Sequence, residues 1–378
     1  MGVKERVDRL RTFMQEKGID ACVVVDPLNQ YYLTGFYAIT YSRPIITVIL
    51  PDKVELIVPA LEELHAAESA KVDCLRVYYE HPEKASSAKS AWELLHDVVK
   101  AHNVHCVGVE MDVIPAALAN RIASAVPKAL EDCGPVIAKM RLVKDSQELE
   151  LIRNAAVLAD TGVLTTIKNS LPGVTELEID AVGNAEILKA AAQRFPGCRV
   201  DLFAMSPSGA ERTVLPHVFS IPRRLVKGDV VIHSRQVALD GYRAESERTY
   251  FVGEASSEYE RLFKVMLEAQ TAGINAIRAG VTCREVDQAA RRVIQEAGFG
   301  EHFIHRTGHG LGLGLHEPPY LRFDNDEVLV EGMVVSVEPA FFVPGKGGFR
   351  HSDTVIVTAT GAEVVTKAPR KFEELVVG

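Results

Sequence analysis

The sequence predicts a two-domain α/β protein, and three observations carry that expectation. The chain has 378 residues, more than one hydrophobic core usually organises. Helix and strand patterns alternate from the start to about Cys133, as in a small α/β domain. A charged segment at 141–150, RLVKDSQELE, then precedes a region whose last third is rich in strands and glycine. The expected domains are residues 1–140 and 141–378.

Residues 4–17 read as an amphipathic helix ending at Gly18, a favourable C-cap. This opening segment carries charges throughout and lacks the apolar core of a signal peptide. Ala21–Val25 reads as a short buried strand, Pro44–Leu50 as another, and Val54–Val58 as its hairpin partner. Val107–Val109 reads as a further buried strand end. At the junction, Ser146 is expected to cap a long helix reaching about residue 169, with Glu148 and Glu150 in its first turns. Thr175 with Glu178 has the capping-box spacing. Later helices are expected at 257–279 and 283–297, the second stopping at Gly298.

Composition narrows the functional classes. Net charge is −9 without a lysine-rich block, which does not suggest a nucleic-acid surface. No apolar run approaches the length of a membrane span. The six cysteines are scattered with no CxxC pair, which argues against a disulfide framework or a zinc knuckle and fits a reducing cytoplasm.

The chemistry centres on residues 228–251, GDVVIHSRQVALDGYRAESERTYF. Val230–Ile232 and Arg248–Val252 read as two strands joined by the turn dipeptide Asp240-Gly241. Glu245 and Glu247 fall two apart, so they share one strand face. Two carboxylates so placed repel unless a cation, a metal or a proton lies between them. Further on come HRTGHGLGLGLHE at 305–317, SVEP at 336–339 and GFRHSD at 348–353.

With the hairpin, these motifs resemble in order and spacing the prolidase, methionine aminopeptidase and creatinase family. The resemblance covers most of the chain. It implies a pita-bread fold for the C-terminal domain behind a small creatinase-like α/β domain. The peptidases of that family hold two metal ions with two Asp, one His and two Glu. Matched position by position, those ligands fall on Ser234, Glu245, His309, Glu338 and Ser352. Two are serine here, so the resemblance implies no two-metal centre.

The metal-free creatinase branch then supplies the leading expectation, a metal-independent hydrolase of a C–N bond in a small amidine or guanidine zwitterion. Creatine or ectoine illustrates the type. His217 matches that branch's general base and acid, and Glu247 and Glu338 match the carboxylates that grip the cation. Arg43 and Tyr41 match its substrate-binding residues from the N-terminal domain. Glu245, His309 and His316 are further candidates for the substrate pocket, while His233 and His351 flank the altered ligand positions. The chemistry is self-consistent: imidazole titrates near neutrality, and two carboxylates hold an amidinium by charge-assisted hydrogen bonds. No cofactor is expected on this reading. The partners implied are a small-molecule substrate and a second subunit forming a homodimer. The alternatives are a metal-dependent Xaa-Pro dipeptidase with Mn or Co on Glu245, His309 and Glu338, and a non-catalytic peptide-binding domain.

Overall fold

Val7, Leu10 and Met14, spaced three and four apart, form the buried stripe of the first helix, Val3–Lys17. Gly18 ends it in the left-handed region at φ 65°, as expected from sequence. The computed structural model describes residues 2–39, 42–84 and 87–378. They divide into two compact units, Met1–Arg141 and Leu142–Gly378. None of the described helices is long and apolar enough to cross a membrane.

The first unit is built on a mixed sheet. Its strands are β1 (Ala21–Val24), β2 (Ile46–Ile49), β3 (Val54–Pro59), β4 (Cys74–Tyr78), β5 (Val107–Val109) and β6 (Glu131–Asp132). They lie in the order β4-β3-β2-β1-β5-β6. β2 and β3 form the expected antiparallel hairpin, whereas β1 and β5 pair in parallel. Continuous apolar runs fit strands buried on both faces. The helix Ala91–Ala101 covers the sheet with Leu94, Leu95, Val98 and Val99.

The second unit opens with the helix Ser146–Lys168. Its cap is Asp145 rather than Ser146. The Asp145 carboxylate accepts from the amides of Gln147 and Glu148, and Glu148 reaches back to the Asp145 amide. Thr175 and Glu178 form the predicted capping box on the helix Glu176–Arg194. Two later helices run Ser257–Ala276 and Cys283–Glu296.

The strands of this unit are β7 (Val200–Met205), β8 (Val230–Leu239), β9 (Tyr242–Val252), β10 (Gly308–Gly310), β11 (Glu317–Leu321), β12 (Val334–Val337), β13 (Ala340–Val343), β14 (Gly347–Arg350), β15 (Ser352–Val357), β16 (Ala362–Val364) and β17 (Val376–Val377). The main sheet runs β11-β10-β12-β15-β9-β8-β7, and β13 and β14 make a separate hairpin. Asp240 and Gly241 both have positive φ, 48° and 87°. That is the two-residue turn whose twist matches a hairpin.

The core of this sheet is unusually polar. Arg248 is fully buried and bonds to Asp353 at 2.7 Å and to the carbonyls of Ala368 and Ser352 at 2.9 Å each. Breaking such a pair strands a charge in the interior, at a cost of about 3–5 kcal/mol. His233 sits between Ser206, 2.8 Å from its Nδ1, and the Nε–H of Arg235, 3.1 Å from its Nε2. His351 packs edge-on against Phe263 with centroids 5.0 Å apart. Burial holds both imidazoles well below their ordinary pKa, so both are neutral.

Two tests follow from this packing. A Cβ on Gly308 would stand 1.9 Å from the Ser336 carbonyl oxygen, so only glycine lets β10 lie this close to β12. Gly308→Ala is expected to destabilise the protein by about 1–3 kcal/mol, read from the denaturant midpoint; an unmoved midpoint would refute this packing. The second test concerns His351, whose folded pKa lies below its unfolded one. Above the unfolded value both states are neutral and the group contributes nothing to pH dependence. As pH falls below it, the unfolded chain takes a proton the folded chain refuses. Stability then drops by up to about 1.4 kcal/mol per pH unit. In His351→Gln the slope of unfolding free energy against pH, measured between about pH 6 and pH 5, should be shallower by about that amount. Equal slopes would count against a neutral buried imidazole.

Candidate active site

The tight turn at Asp240-Gly241 fixes the register of β8 on β9, pairing Ser234 with Glu247 and Gln236 with Glu245. Side chains alternate along a strand, so Glu245 and Glu247 share the face the sequence predicts. β15 lies on the other side of β9 and sets Ser352 opposite Glu247. Glu338 follows β12, its amide tied to the Thr307 carbonyl at 2.7 Å. His309 is the central residue of β10, between Gly308 and Gly310.

These elements bring three carboxylates together in the interior. Glu245, Glu247 and Glu338 are all nearly inaccessible. The Glu245 carboxylate accepts from Ser352 Oγ at 2.6 Å and from Gln236 Nε2 at 2.5 Å. The Glu247 carboxylate faces Arg350, with Nε 2.6 Å from Oε2 and Nη2 donating to Oε1 at 2.9 Å. Burial pushes Glu247 up to about 8 against the pull of Arg350. Burial and Glu338 raise Glu245 as well. Burial works against ionised Glu338, but His305, His309 and Arg350 outweigh it and hold that carboxyl well below the usual range.

His309 has an informative tautomer. Its Nδ1 lies 2.9 Å from the Gly310 carbonyl, which can only accept, so Nδ1 carries the hydrogen. Nε2 then bears a lone pair. It faces Glu338 Oε1 at 3.3 Å and Glu245 Oε2 at 3.8 Å without hydrogen-bond geometry to any group. A lone pair against two carboxylates is repulsive unless a proton or a metal cation lies between them. Burial alone would lower this imidazole, yet Glu338 and Glu245 raise it to about 9.

The carboxylates open onto a cavity of about 140 Å³ with apolar walls that include Phe203, Met205, Phe219 and Leu315. That volume is below the range for drug-sized ligands, so the inner cavity takes one small group. A second cavity of about 490 Å³ adjoins it and shares His217, His305 and His316. His217 is exposed at this junction. His316 stacks on His309 with centroids 3.7 Å apart. Burial and the neighbouring His309 push His316 down to about 4.

Six of the residues singled out from sequence are thus brought together: His217, Glu245, Glu247, His309, His316 and Glu338. His233 and His351 do not line the cavity. Arg43 belongs to the first unit, half exposed and paired with Glu80 at 2.6 Å. Tyr41 lies outside the described residues. Sequence reasoning missed Arg350, His305 and Gln236. Arg350 was open to detection, because two carboxylates on one face demand a cation and Arg350 lies within the FRHSD motif.

The metal question can be put to these side chains directly. The donor atoms of Glu245, His309 and His316 lie within 4.8 Å of one another, as do those of Glu245, Glu247 and Glu338. Glu245, His309 and Glu338 offer two hard oxygens and an unpaired imidazole nitrogen, a donor set that suits a divalent ion such as Mn²⁺ or Co²⁺. Ser234 and Ser352 offer only neutral hydroxyls, and the Ser352 hydroxyl is already committed to Glu245. The residues fit one divalent ion and do not fit a five-ligand pair of ions.

Comparison with known proteins corrects the leading expectation. Residues 150–359 match the description Metallopeptidase family M24, and residues 6–143 match the Creatinase/Prolidase N-terminal domain. The chain is 30% identical to an Xaa-Pro dipeptidase of Pyrococcus furiosus, over 98% of this chain and 100% of that protein. It is 32% identical to the putative dipeptidase YkvY of Bacillus subtilis, over 97% and 98% of the two chains. The solved Xaa-Pro dipeptidase from Bacillus anthracis superposes with a TM-score of 0.88 at 30% identity, covering 100% of both chains. A metal-independent amidine or guanidine hydrolase without a cofactor is therefore overturned. The physical reason lies in the donor set: serine at 234 and 352 removes two carboxylates, but His309 Nε2 still faces Glu338 and Glu245. The expected pita-bread architecture and family stand, and the chain belongs to the metallopeptidase family M24, with the creatinase/prolidase N-terminal domain at its start.

Proposed function

We propose that this chain is a metal-assisted dipeptidase acting on Xaa-Pro dipeptides. The observation that carries the reading is His309 Nε2, which faces Glu338 at 3.3 Å and Glu245 at 3.8 Å with no hydrogen-bond partner among the described residues. Glu245, His309 and Glu338 would hold a divalent ion there, which would supply Lewis-acid polarisation of the scissile carbonyl. The substrate class comes from the relatives, several of which are named Xaa-Pro dipeptidases.

The chain's own residues add orientation and proton handling. Arg306 Nη2 lies 3.1 Å from His316 Nδ1 and can only donate, so Nδ1 accepts and Nε2 of the neutral imidazole carries the hydrogen. His316 is thereby set as a hydrogen-bond donor to a substrate oxygen. Phe203 and Met205 give the inner cavity apolar walls that suit a small ring or side chain. His217 lines both cavities where they meet, and on this reading it passes a proton to the leaving nitrogen.

A dipeptide also carries a carboxylate, and the outer cavity holds the cation to meet it. Arg291 there is committed to Asp287 and Arg322 to Asp324. Arg306 lies over the Tyr320 ring at 4.4 Å and has no carboxylate partner among the described residues. We assign Arg306, rather than Arg43, to the substrate carboxylate.

Two outcomes are expected. Protein stripped with a chelator should lose cleavage of Ala-Pro and recover it with Mn²⁺ or Co²⁺, followed by release of free proline. No cleavage under any metal would sink the reading. Arg306→Ala should raise KM for the free dipeptide about 10- to 100-fold, the range of a charge-assisted hydrogen bond, while the dipeptide amide is affected far less. Equal effects on acid and amide would remove Arg306 from that role.

A further inference from the structure

We infer that this chain holds a single divalent ion, and that the Glu247–Arg350 ion pair takes up the ground and the charge of a second one. The inference rests on the peptidase reading above and deepens it by stating the metal stoichiometry.

The register carries the first part of the argument. Across β8, β9 and β15, Ser234, Glu247 and Ser352 stand side by side. One residue in that row is acidic, and it is already ion-paired: Arg350 Nη2 donates to one of its oxygens at 2.9 Å, and Nε stands 2.6 Å from the other without hydrogen-bond geometry. In the neighbouring row, Gln236 and Ser352 donate to Glu245 and leave it facing His309 and Glu338. The face thus sets Glu247 against Arg350, and Glu245 and Glu338 against His309, with donor atoms of the three carboxylates within 4.8 Å of one another.

Charge carries the second part. With an ion bound, its ligands are deprotonated and His309 is a neutral donor, so three carboxylates against one guanidinium would leave two negative charges, which one divalent cation cancels. A second ion would leave the site with two uncompensated positive charges. Glu245, Glu247, Glu338 and Arg350 are all at most 4% exposed, so solvent would screen little of that excess. A second ion would also have to displace Arg350 from Glu247 and rely on serine hydroxyls, which are poor ligands for a hard cation.

The deciding experiment counts ions on the full chain. The protein is stripped with a chelator, equilibrated with increasing Mn²⁺ or Co²⁺, and read by native mass spectrometry and by plasma mass spectrometry after dialysis. Saturation at one ion per chain is expected. Glu338→Gln should lower that occupancy, with folding checked by circular dichroism. Ser234→Asp combined with Glu247→Thr and Ser352→Glu should raise the count to two. Should that triple variant not fold, the count on the unaltered chain decides alone. Saturation at two ions overturns the inference, and if such protein cleaves Ala-Pro the dipeptidase reading survives without it. One ion bound with no cleavage of Ala-Pro would support the inference and sink the dipeptidase reading. No ion bound and no cleavage would overturn both.

Discussion

The mutual repulsion of Glu245, Glu247 and Glu338 is the constraint around which the C-terminal unit is arranged. Two like charges about 4 Å apart near a protein surface repel by about 4 kcal/mol, and burial makes the cost larger. Each neighbour answers that cost in its own way. Arg350 supplies a full positive charge to Glu247. Gln236 and Ser352 supply hydrogen bonds to Glu245. His309 offers Glu338 and Glu245 a nitrogen that must take on a proton or a metal. A site strained in this way is suited to binding a cation, because the ion relieves what the fold has built up.

Holding acids so close requires an unyielding frame. Gly308 lets β10 approach β12 to a distance no other residue permits, and His309 is placed by that approach. On the opposite face of β9, Arg248 and Asp353 form a buried pair that anchors β9 to β15. Gln270 and Thr366 add further bonds to Asp353. The acidic face and its backing are consecutive residues of the same strands, so a slip of one residue would exchange the acids for their supports.

Serine at 234 and 352 does argue against two ions. It does not argue against one, since coordination is decided by which donors converge and not by how many of a motif's positions remain. Glu247, read from sequence as a grip for a cationic substrate, is instead occupied by Arg350. Arg43 pairs with Glu80 in the first unit, and Arg306, which bonds to His316, has no carboxylate partner among the described residues.

Most local signals were legible in the sequence, although the junction helix is capped by Asp145 and not by Ser146. The capping box at Thr175, the turn at Asp240-Gly241 and the shared face of Glu245 and Glu247 follow from backbone geometry and side-chain period alone. The order of the motifs identified the family and most of the residues that meet in the site. Contacts between segments far apart in the chain were not legible. Pairing Arg350 with Glu247 spans 103 residues, and facing His309 toward Glu245 requires β10, β12, β15 and β9 to lie side by side. Charge compensation in a buried site depends on distances of a few ångströms between such segments. Sequence therefore determined which chemistry was available, and tertiary packing decided which charges were already spent.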